Sequence, residues 1–128
     1  MKRLDNKVAI VTGASKGIGA GIAKAFGAEG AAVVVNYARD HEGAEAKKAF
    51  GGLDVLVNNA GVFSFAPFEQ FSEQEFHRQF NTNVLGTFLM IEAALPAFGT
   101  ESGSIINIGS EASGPFRSTW RQRALSMA

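Results

Sequence analysis

The chain has 128 residues, of which 46% are hydrophobic and 19% are charged, and its formal net charge is zero. This length suits one globular domain, and the apolar fraction excludes general disorder. Twelve basic residues balance twelve acidic ones, so the charge gives no support to a nucleic-acid or anionic-membrane partner. The absence of cysteine excludes disulfides, thiolate metal ligands and a cysteine nucleophile.

The apolar runs are too short to span a bilayer, and none follows the basic pair Lys2-Arg3 near the N-terminus. We therefore expect no signal peptide, no membrane segment and a soluble, cytoplasmic chain. His41 and His77 are far apart and lack partners at ligand spacing, so no metal site is expected.

The first third of the chain alternates between strand and helix patterns. Residues 8–11 are mainly β-branched, which favours a strand buried on both faces. After a glycine-rich loop, residues 20–29 have helical spacing of apolar side chains, and Gly30 is a stop signal. A second strand is predicted at 32–36. This βαβ unit implies a parallel pair of strands with a right-handed crossover.

The alternation continues through the middle of the chain. The predicted elements are a helix at 42–50, a strand at 53–58, a long helix from the capping box at 72–75 to about residue 98, and a strand at 104–108. Periodicity is lost from residue 109, and 115–128 is predicted to be an irregular tail. Without a repeat or a linker, residues 1–128 are expected to form one dinucleotide-binding α/β domain that is incomplete.

The glycine loop is the most informative local feature. Gly13 permits a tight turn, while Gly17 and Gly19 are expected to leave room for a phosphate beside the first N–H groups of the helix. The alternative, that these glycines only serve a turn, is weakened by the strand–loop–helix context. The loop lacks the G-K-[ST] ending of a P-loop, which argues against an ATPase or GTPase.

Four motifs, in order, resemble the short-chain dehydrogenase/reductase family. They are residues 12–19 (TGASKGIG), 58–61 (NNAG), 83–86 (NVLG) and 104–110 (SIINIGS). The chain is similar to both bacterial 3-oxoacyl-carrier-protein reductases and glucose dehydrogenases. The resemblance implies a Rossmann-like three-layer α/β/α fold, a nicotinamide cofactor, and oxidation of small alcohols or reduction of small carbonyl compounds.

The resemblance also implies roles for individual residues. The cofactor's pyrophosphate and nearby ribose would be held by Gly13, Ser15, Lys16, Gly17, Ile18 and Gly19. The adenosine side would be lined by Asn59, Ala60 and Gly61. Asn83 would organise a proton-relay water, and Ser110 would hydrogen-bond the oxygen of the substrate. The alternatives are a helix-bending polar residue at Asn83 and an ordinary loop serine at Ser110.

Charge at the end of the second strand favours NADP(H) over NAD(H). An acidic side chain there would bind the ribose diol of NAD and repel a 2′-phosphate. Here the position is Asn36, followed by Tyr37 and Arg39, with Lys16 in the glycine loop. The alternative is that Lys16 and Arg39 are solvated surface charges.

Two departures from the family pattern affect the expected function. First, only residues 37–52 separate the second and third strands, where the family has helix, strand and helix, with an aspartate that touches adenine. Removal of that edge strand leaves the strand order 2-1-3-4, which is flavodoxin-like, and the connection is long enough for a crossover helix. The chain is expected to keep the fold without this strand, but the pocket for the adenine ring is expected to lack the residues of one side.

Second, the family's Tyr-x-x-x-Lys is absent. Residues 115–124 (PFRSTWRQRA) contain neither residue, and arginine cannot replace tyrosine as a proton donor. We therefore expect a truncated and internally deleted oxidoreductase, with its C-terminal half missing and impaired on its own. A Tyr-x-x-x-Lys motif in another reading frame beyond Ser118 would identify residues 120–128 as a frameshift product. The alternatives are a catalytically inactive nucleotide-binding or scaffolding module and a remnant that folds poorly.

Apolar side chains in the second half raise two further expectations. Six phenylalanines either line a substrate cleft or, as is favoured, pack in the core and under a lid; they are Phe63, Phe65, Phe68, Phe71, Phe76 and Phe80. The family pairs its long helix and the following helix in a dimer. With the following helix missing, Leu85, Phe88, Leu89 and Ile91 are expected to be exposed, which predicts self-association.

Overall fold

A computed structural model of the protein describes residues 2–36, 49–64, 66–100 and 102–109. Four strands form one parallel sheet in the order β2-β1-β3-β4; they are β1 (Val8–Thr12), β2 (Ala32–Asn36), β3 (Val55–Asn58) and β4 (Ser104–Asn107). The register aligns Ile10 with Val34 on one side and with Leu56 on the other. The predicted Rossmann-like class and strand order are confirmed.

The helix that follows the glycine loop, α1 (Gly17–Ala28), begins three residues earlier than predicted. Four of its twelve residues are glycine, which has a poor intrinsic helix propensity, so tertiary packing must stabilise the helix. Ile22, Ala23 and Phe26 supply that packing against the sheet. The chain then turns at Gly30, whose φ of 96° lies in the left-handed region.

The predicted long helix is one helical segment with two irregular turns. It comprises α2 (Glu73–Phe80), a π-helical turn (Asn81–Leu85), α3 (Gly86–Ala94) and a 3-10 turn (Leu95–Ala97). The N–H of Glu75 donates to the Ser72 hydroxyl at 3.0 Å, which confirms Ser72 as the N-cap of the predicted capping box. The predicted helix at 42–50 lies outside the described residues except for its last two residues, which are helical.

Helices cover both faces of the sheet, as a three-layer α/β/α fold requires. On one face Ile10, Leu53 and Leu56 pack with Ala94 and Met90 of α3. On the other face Val11, Ala14 and Val57 pack against α1. The two central strands β1 and β3 therefore carry the core, since both of their faces are covered.

The core and lid packing predicted for the phenylalanines is wrong for those that the structure describes. Phe63 and Phe68 are 74% and 78% exposed, and Phe71, Phe76 and Phe80 are also exposed. The reason is that α3, rather than α2, supplies the helical residues of the core, so the phenylalanines of α2 have no sheet surface to cover. Phe65 lies outside the described residues.

The expected exposure of the long helix is confirmed for three of four residues. Leu85, Phe88 and Leu89 are exposed. Ile91 is instead packed against the core, because it lies one helical turn from the buried Ala94 and shares its face.

We predict that Asp54→Ala lowers the free energy of unfolding by about 1–3 kcal/mol. The Asp54 carboxylate accepts a hydrogen bond from the N–H of Val8 at 2.8 Å, where β1 begins. Removal of the carboxylate leaves that N–H without its acceptor at the edge of the core. Denaturant titration measures the effect, and Asp54→Asn, which keeps an acceptor oxygen, is the control. Equal unfolding midpoints for Asp54→Ala and the unmodified chain would contradict this account.

Candidate functional site

The carboxyl ends of β1 and β3 mark the place where the chain changes direction across the sheet. β1 connects through α1 on one face, while β3 connects through the long helix on the other. In open α/β sheets such a reversal leaves a crevice at the carboxyl ends of the strands, and ligands bind there.

Two glycines, one in the loop after β1 and one in the first turn of α1, are required for close packing. Gly13 has a φ of 61°, and a Cβ atom there would lie 2.9 Å from the Cα atom of Ala60. A Cβ atom at Gly19 would collide with the side-chain amide of Asn59. The room that the sequence predicted beside Gly19 is therefore taken up by the protein itself.

Gly17 has a different environment, because a Cβ atom there would meet nothing within 4 Å. Its φ of 62° lies in the left-handed region, where glycine is favoured. The loop therefore leaves open space beside Gly17, at the first residue of α1.

Among the described residues, neither the N-cap side chain nor an acidic residue of the first turn caps the N-terminus of α1. Lys16 is the N-cap residue and makes no side-chain capping hydrogen bond, and the first turn carries no acidic residue. These N–H groups and the helix dipole favour an anion. Ser15, Lys16 and Ile18 are exposed around the same opening. The arrangement fits a phosphate group.

A brace of four hydrogen bonds joins the ends of β1 and β3. The buried Thr12 hydroxyl accepts from the N–H groups of Asn59 and Ala60, both at 3.0 Å. The Asn59 amide donates to the carbonyl oxygens of Thr12 and Gly13, both at 3.2 Å. No role was predicted for Thr12 from the sequence. The feature that could have identified it is a hydroxyl residue at the end of a strand, just before the glycine loop.

A second polar contact joins β3 to β4. Asn58, only 5% exposed, donates from its amide nitrogen to the Asn107 side-chain oxygen at 3.0 Å. The Asn58 side-chain oxygen is buried, and within the described ranges it has no hydrogen-bond partner. Such a buried acceptor is costly, and it lies at the carboxyl edge of the sheet, next to the crevice.

Asn83 lies in the π-helical turn and binds the segment that leaves β3. Its side-chain oxygen accepts from the N–H of Val62, and its amide nitrogen donates to the Val62 carbonyl oxygen, both at 2.7 Å. Its own carbonyl oxygen accepts from the Thr87 hydroxyl at 3.0 Å. The Asn83 side chain is therefore committed to the loop, and π-helical turns of this kind are frequent at functional sites.

Two residues further along, the same segment is bound by α2. The Ser64 hydroxyl donates to the Glu75 carboxylate at 2.7 Å, and Arg78 donates to both of its oxygens at 2.7 and 2.8 Å. Gln79 also donates to it, at 2.9 Å. The hydrogen bonds from Arg78, Ser64 and Gln79, in that order of importance, lower the pKa of Glu75 to about 2.

Some of the predicted site residues cannot be located in this arrangement. Ser110, Tyr37 and Arg39 lie outside the described residues, and Asn36 is described only by its backbone at the end of β2. Within the described ranges, no three acidic or histidine residues cluster as metal ligands would. No helix in that part of the chain is both long and apolar enough to cross a membrane.

The sequence model of the short chain dehydrogenase family matches residues 7–49 and 43–120. The match is in two pieces that meet around residues 43–49, between β2 and β3. This break lies in the connection from which the sequence analysis infers a deletion.

Curated relatives agree with the family match. The chain is 45% identical to an uncharacterized oxidoreductase of Methylorubrum extorquens, over 86% of this chain and 57% of that protein. It is 36% identical to galactitol 2-dehydrogenase of Agrobacterium fabrum, over 86% and 55%. The chain thus spans a little more than half the length of these relatives.

Solved structures show the same fold. A short chain dehydrogenase from Burkholderia cenocepacia, in complex with NADP, superposes with a TM-score of 0.80 at 30% identity, over 91% of this chain and 60% of that one. Aldohexose dehydrogenase of Thermoplasma acidophilum gives 0.77 at 32% identity, over 85% and 51%. With its parallel sheet, its glycine loop and this pattern of matches, the chain belongs to the short-chain dehydrogenase/reductase family of oxidoreductases.

Proposed function

We propose that this chain binds a nicotinamide cofactor in the crevice between β1 and β3 and serves the interconversion of small alcohols and carbonyl compounds. The observation that carries the proposal is the uncapped N-terminus of α1 beside the open space at Gly17. A pyrophosphate would receive hydrogen bonds from the first N–H groups of the helix there.

The surrounding residues fit this cofactor in complementary ways. Ser15, Lys16 and Ile18 are exposed at the opening, next to Gly17. Gly13 and Gly19 act by letting the loop pack against β3. The residues after β3 would line the adenosine side; they are Asn59, Ala60 and Gly61. Because the Asn59 side-chain amide donates to the carbonyls of Thr12 and Gly13 and its backbone N–H donates to the Thr12 hydroxyl, we assign its contact with the cofactor to its backbone carbonyl oxygen.

The cofactor, when bound, supplies or accepts the hydride. Ser110 would donate a hydrogen bond to the oxygen of the substrate, since β4 leads directly to it. The water that the family's asparagine organises would lie at a backbone carbonyl of the π-helical turn, because the Asn83 side chain is committed to Val62.

The charges favour NADP(H) over NAD(H). Lys16 is exposed in the loop. At the end of β2, where the NAD-binding pattern has an acid, stands the neutral Asn36, followed by Tyr37 and the cation Arg39. The similar Burkholderia protein was solved with NADP.

A second candidate function is an inactive nucleotide-binding or scaffolding module. It is favoured by one observation, namely that residues 111–128 contain neither tyrosine nor lysine. In that case the chain would bind a nucleotide without catalysing a reaction. Nucleotide binding depends on the phosphate site at α1, while proton transfer depends on the tyrosine and lysine of the family motif.

Self-association through Leu85, Phe88 and Leu89 stays a prediction, supported by the exposure of these side chains.

Substitution of Gly17 tests the phosphate site. Gly17→Ala places a methyl group in the open space and costs about 1–2 kcal/mol of left-handed strain, so NADPH affinity should fall more than about tenfold. Gly21→Ala is the matched control, because Gly21 also faces open space but lies inside α1 with a helical backbone. This control should be more stable by about 0.5–1 kcal/mol and bind NADPH normally. Equal affinities for the two variants, by calorimetric titration, would refute the site.

Substitution of Lys16 tests the cofactor preference. We expect NADPH to bind more tightly than NADH, and Lys16→Ala to weaken NADPH about tenfold, because one charge-assisted contact to the 2′-phosphate is lost. NADH affinity should change little. Lys24→Ala removes another exposed lysine of α1 and should leave both affinities unchanged. Tighter binding of NADH, or a preference that survives Lys16→Ala, would reject the assignment.

We expect the 128-residue chain to show no hydride transfer above background. Proton transfer by a positioned side chain is commonly worth about 10²–10⁴-fold in rate, and residues 111–128 contain no tyrosine to provide it. A panel of ketones and sugars with NADPH, followed at the nicotinamide absorbance band, measures the rate. Robust turnover that Ser110→Ala abolishes would show that the site works without the tyrosine.

A further inference from the structure

The segment that leaves β3 is bound to the rest of the fold at every second residue. Ala60 is bound by the Thr12 hydroxyl, Val62 by the Asn83 side chain, and Ser64 by Glu75. Residues 60–64 therefore cannot move independently of β1 on one side and of the long helix on the other.

This segment borders the crevice described above. It begins where Ala60 packs against Gly13, and it continues where a Cβ atom on Gly61 would lie 3.4 Å from the Asn83 side-chain oxygen. A ligand that extends from the N-terminus of α1 across the end of β3 toward β4 must pass along it.

The third attachment has the geometry of a fixed acceptor. Arg78 donates from Nε and Nη2 to the two oxygens of Glu75, which fixes the plane of the carboxylate. Oε1, the oxygen that faces Ser64, also accepts from Gln79. The backbone of Glu75 is held in turn by the Ser72 hydroxyl.

We propose that Glu75 is a positioning residue, which holds residues 62–64 through the Ser64 hydroxyl and thereby sets the wall of the crevice beyond the phosphate site. This proposal rests on the proposed function, because it assigns the wall to a site for a nicotinamide cofactor. Glu75 is half-buried and Arg78 is exposed, so their pair lies at the surface, where an ion pair on a helix contributes little to global stability. Loss of Glu75 should therefore change the site without changing the unfolding midpoint.

The variants are Glu75→Ala, Glu75→Gln, Ser64→Ala and the double variant Ser64→Ala/Glu75→Ala. Glu73→Ala is the matched control, since it removes a carboxylate from the same turn of α2 that is paired with His77 at 3.4 Å. Three measurements are made on the 128-residue chain: amide hydrogen exchange of a peptide covering residues 60–64, NADPH affinity, and the fluorescence lifetime of bound NADPH.

In Glu75→Ala we expect exchange in residues 60–64 to accelerate about tenfold, as loss of a hydrogen bond to a charged group permits. NADPH affinity should fall and the fluorescence lifetime should shift, with the unfolding midpoint equal to that of Glu73→Ala. Glu75→Gln keeps an oxygen for Ser64 and should restore part of each effect. Ser64→Ala should reproduce the effect of Glu75→Ala, and the double variant should add nothing further, because both act through one contact.

The remaining outcomes each overturn a stated idea. Exchange that is equal in Glu75→Ala and Glu73→Ala overturns the attachment. Faster exchange with unchanged NADPH affinity and lifetime shows a structural role only, and overturns the positioning role while leaving the proposed function intact. An unmodified chain that binds neither NADPH nor NADH overturns the proposed function, and the assignment of Glu75 to a cofactor crevice falls with it.

Discussion

The ends of β1 and β3 are joined by the Thr12 hydroxyl and the Asn59 amide, each of which makes two hydrogen bonds to the backbone of the opposite strand. This brace fixes the glycine loop against β3, and Gly13 can approach Ala60 only because it lacks a side chain. The start of α1 is thereby held over the crevice with its N–H groups unpaired by side chains. A loop free to move would have to lose conformational entropy whenever an anion bound.

The brace also determines which atoms remain for a ligand. The amides of Asn59 and Asn83 both lie at the crevice, and both are used to bind backbone atoms of the protein. The binding groups that remain are backbone N–H groups, which a rigid loop presents at fixed positions. In the proposed function, side chains are then needed mainly for the preference between cofactors, assigned to Lys16, and for contact with the substrate oxygen, assigned to Ser110.

Local patterns in the sequence predicted the elements and their order, because a βαβ unit and a short connection allow few topologies. The capping box at Ser72 was visible because its partners are three residues apart. The contacts of the site were not visible, since Asn59 and Thr12 are 47 residues apart and Ser64 and Glu75 are 11 apart. Exposure of the phenylalanines was also beyond local periodicity, which shows that a face is apolar but does not show what covers it. For this reason Phe88 is exposed while Ile91, three residues further along α3, is packed against the core.

The strands under the proposed phosphate site are better packed than the strand that leads to the proposed substrate site. The phosphate side is built on β1 and β3, whose faces are covered by α1 and α3. The strand that leads to Ser110 is β4, and its Ile105 and Ile106 are exposed on opposite faces, although parallel strands are normally buried on both. The Asn58 amide donates to Asn107 and so links β3 to β4, but the buried Asn58 side-chain oxygen has no partner among the described residues. The proposed cofactor site therefore lies on the well-packed part of the fold, while the residue proposed to contact the substrate follows the exposed strand, so we expect that loss of substrate chemistry need not remove cofactor binding.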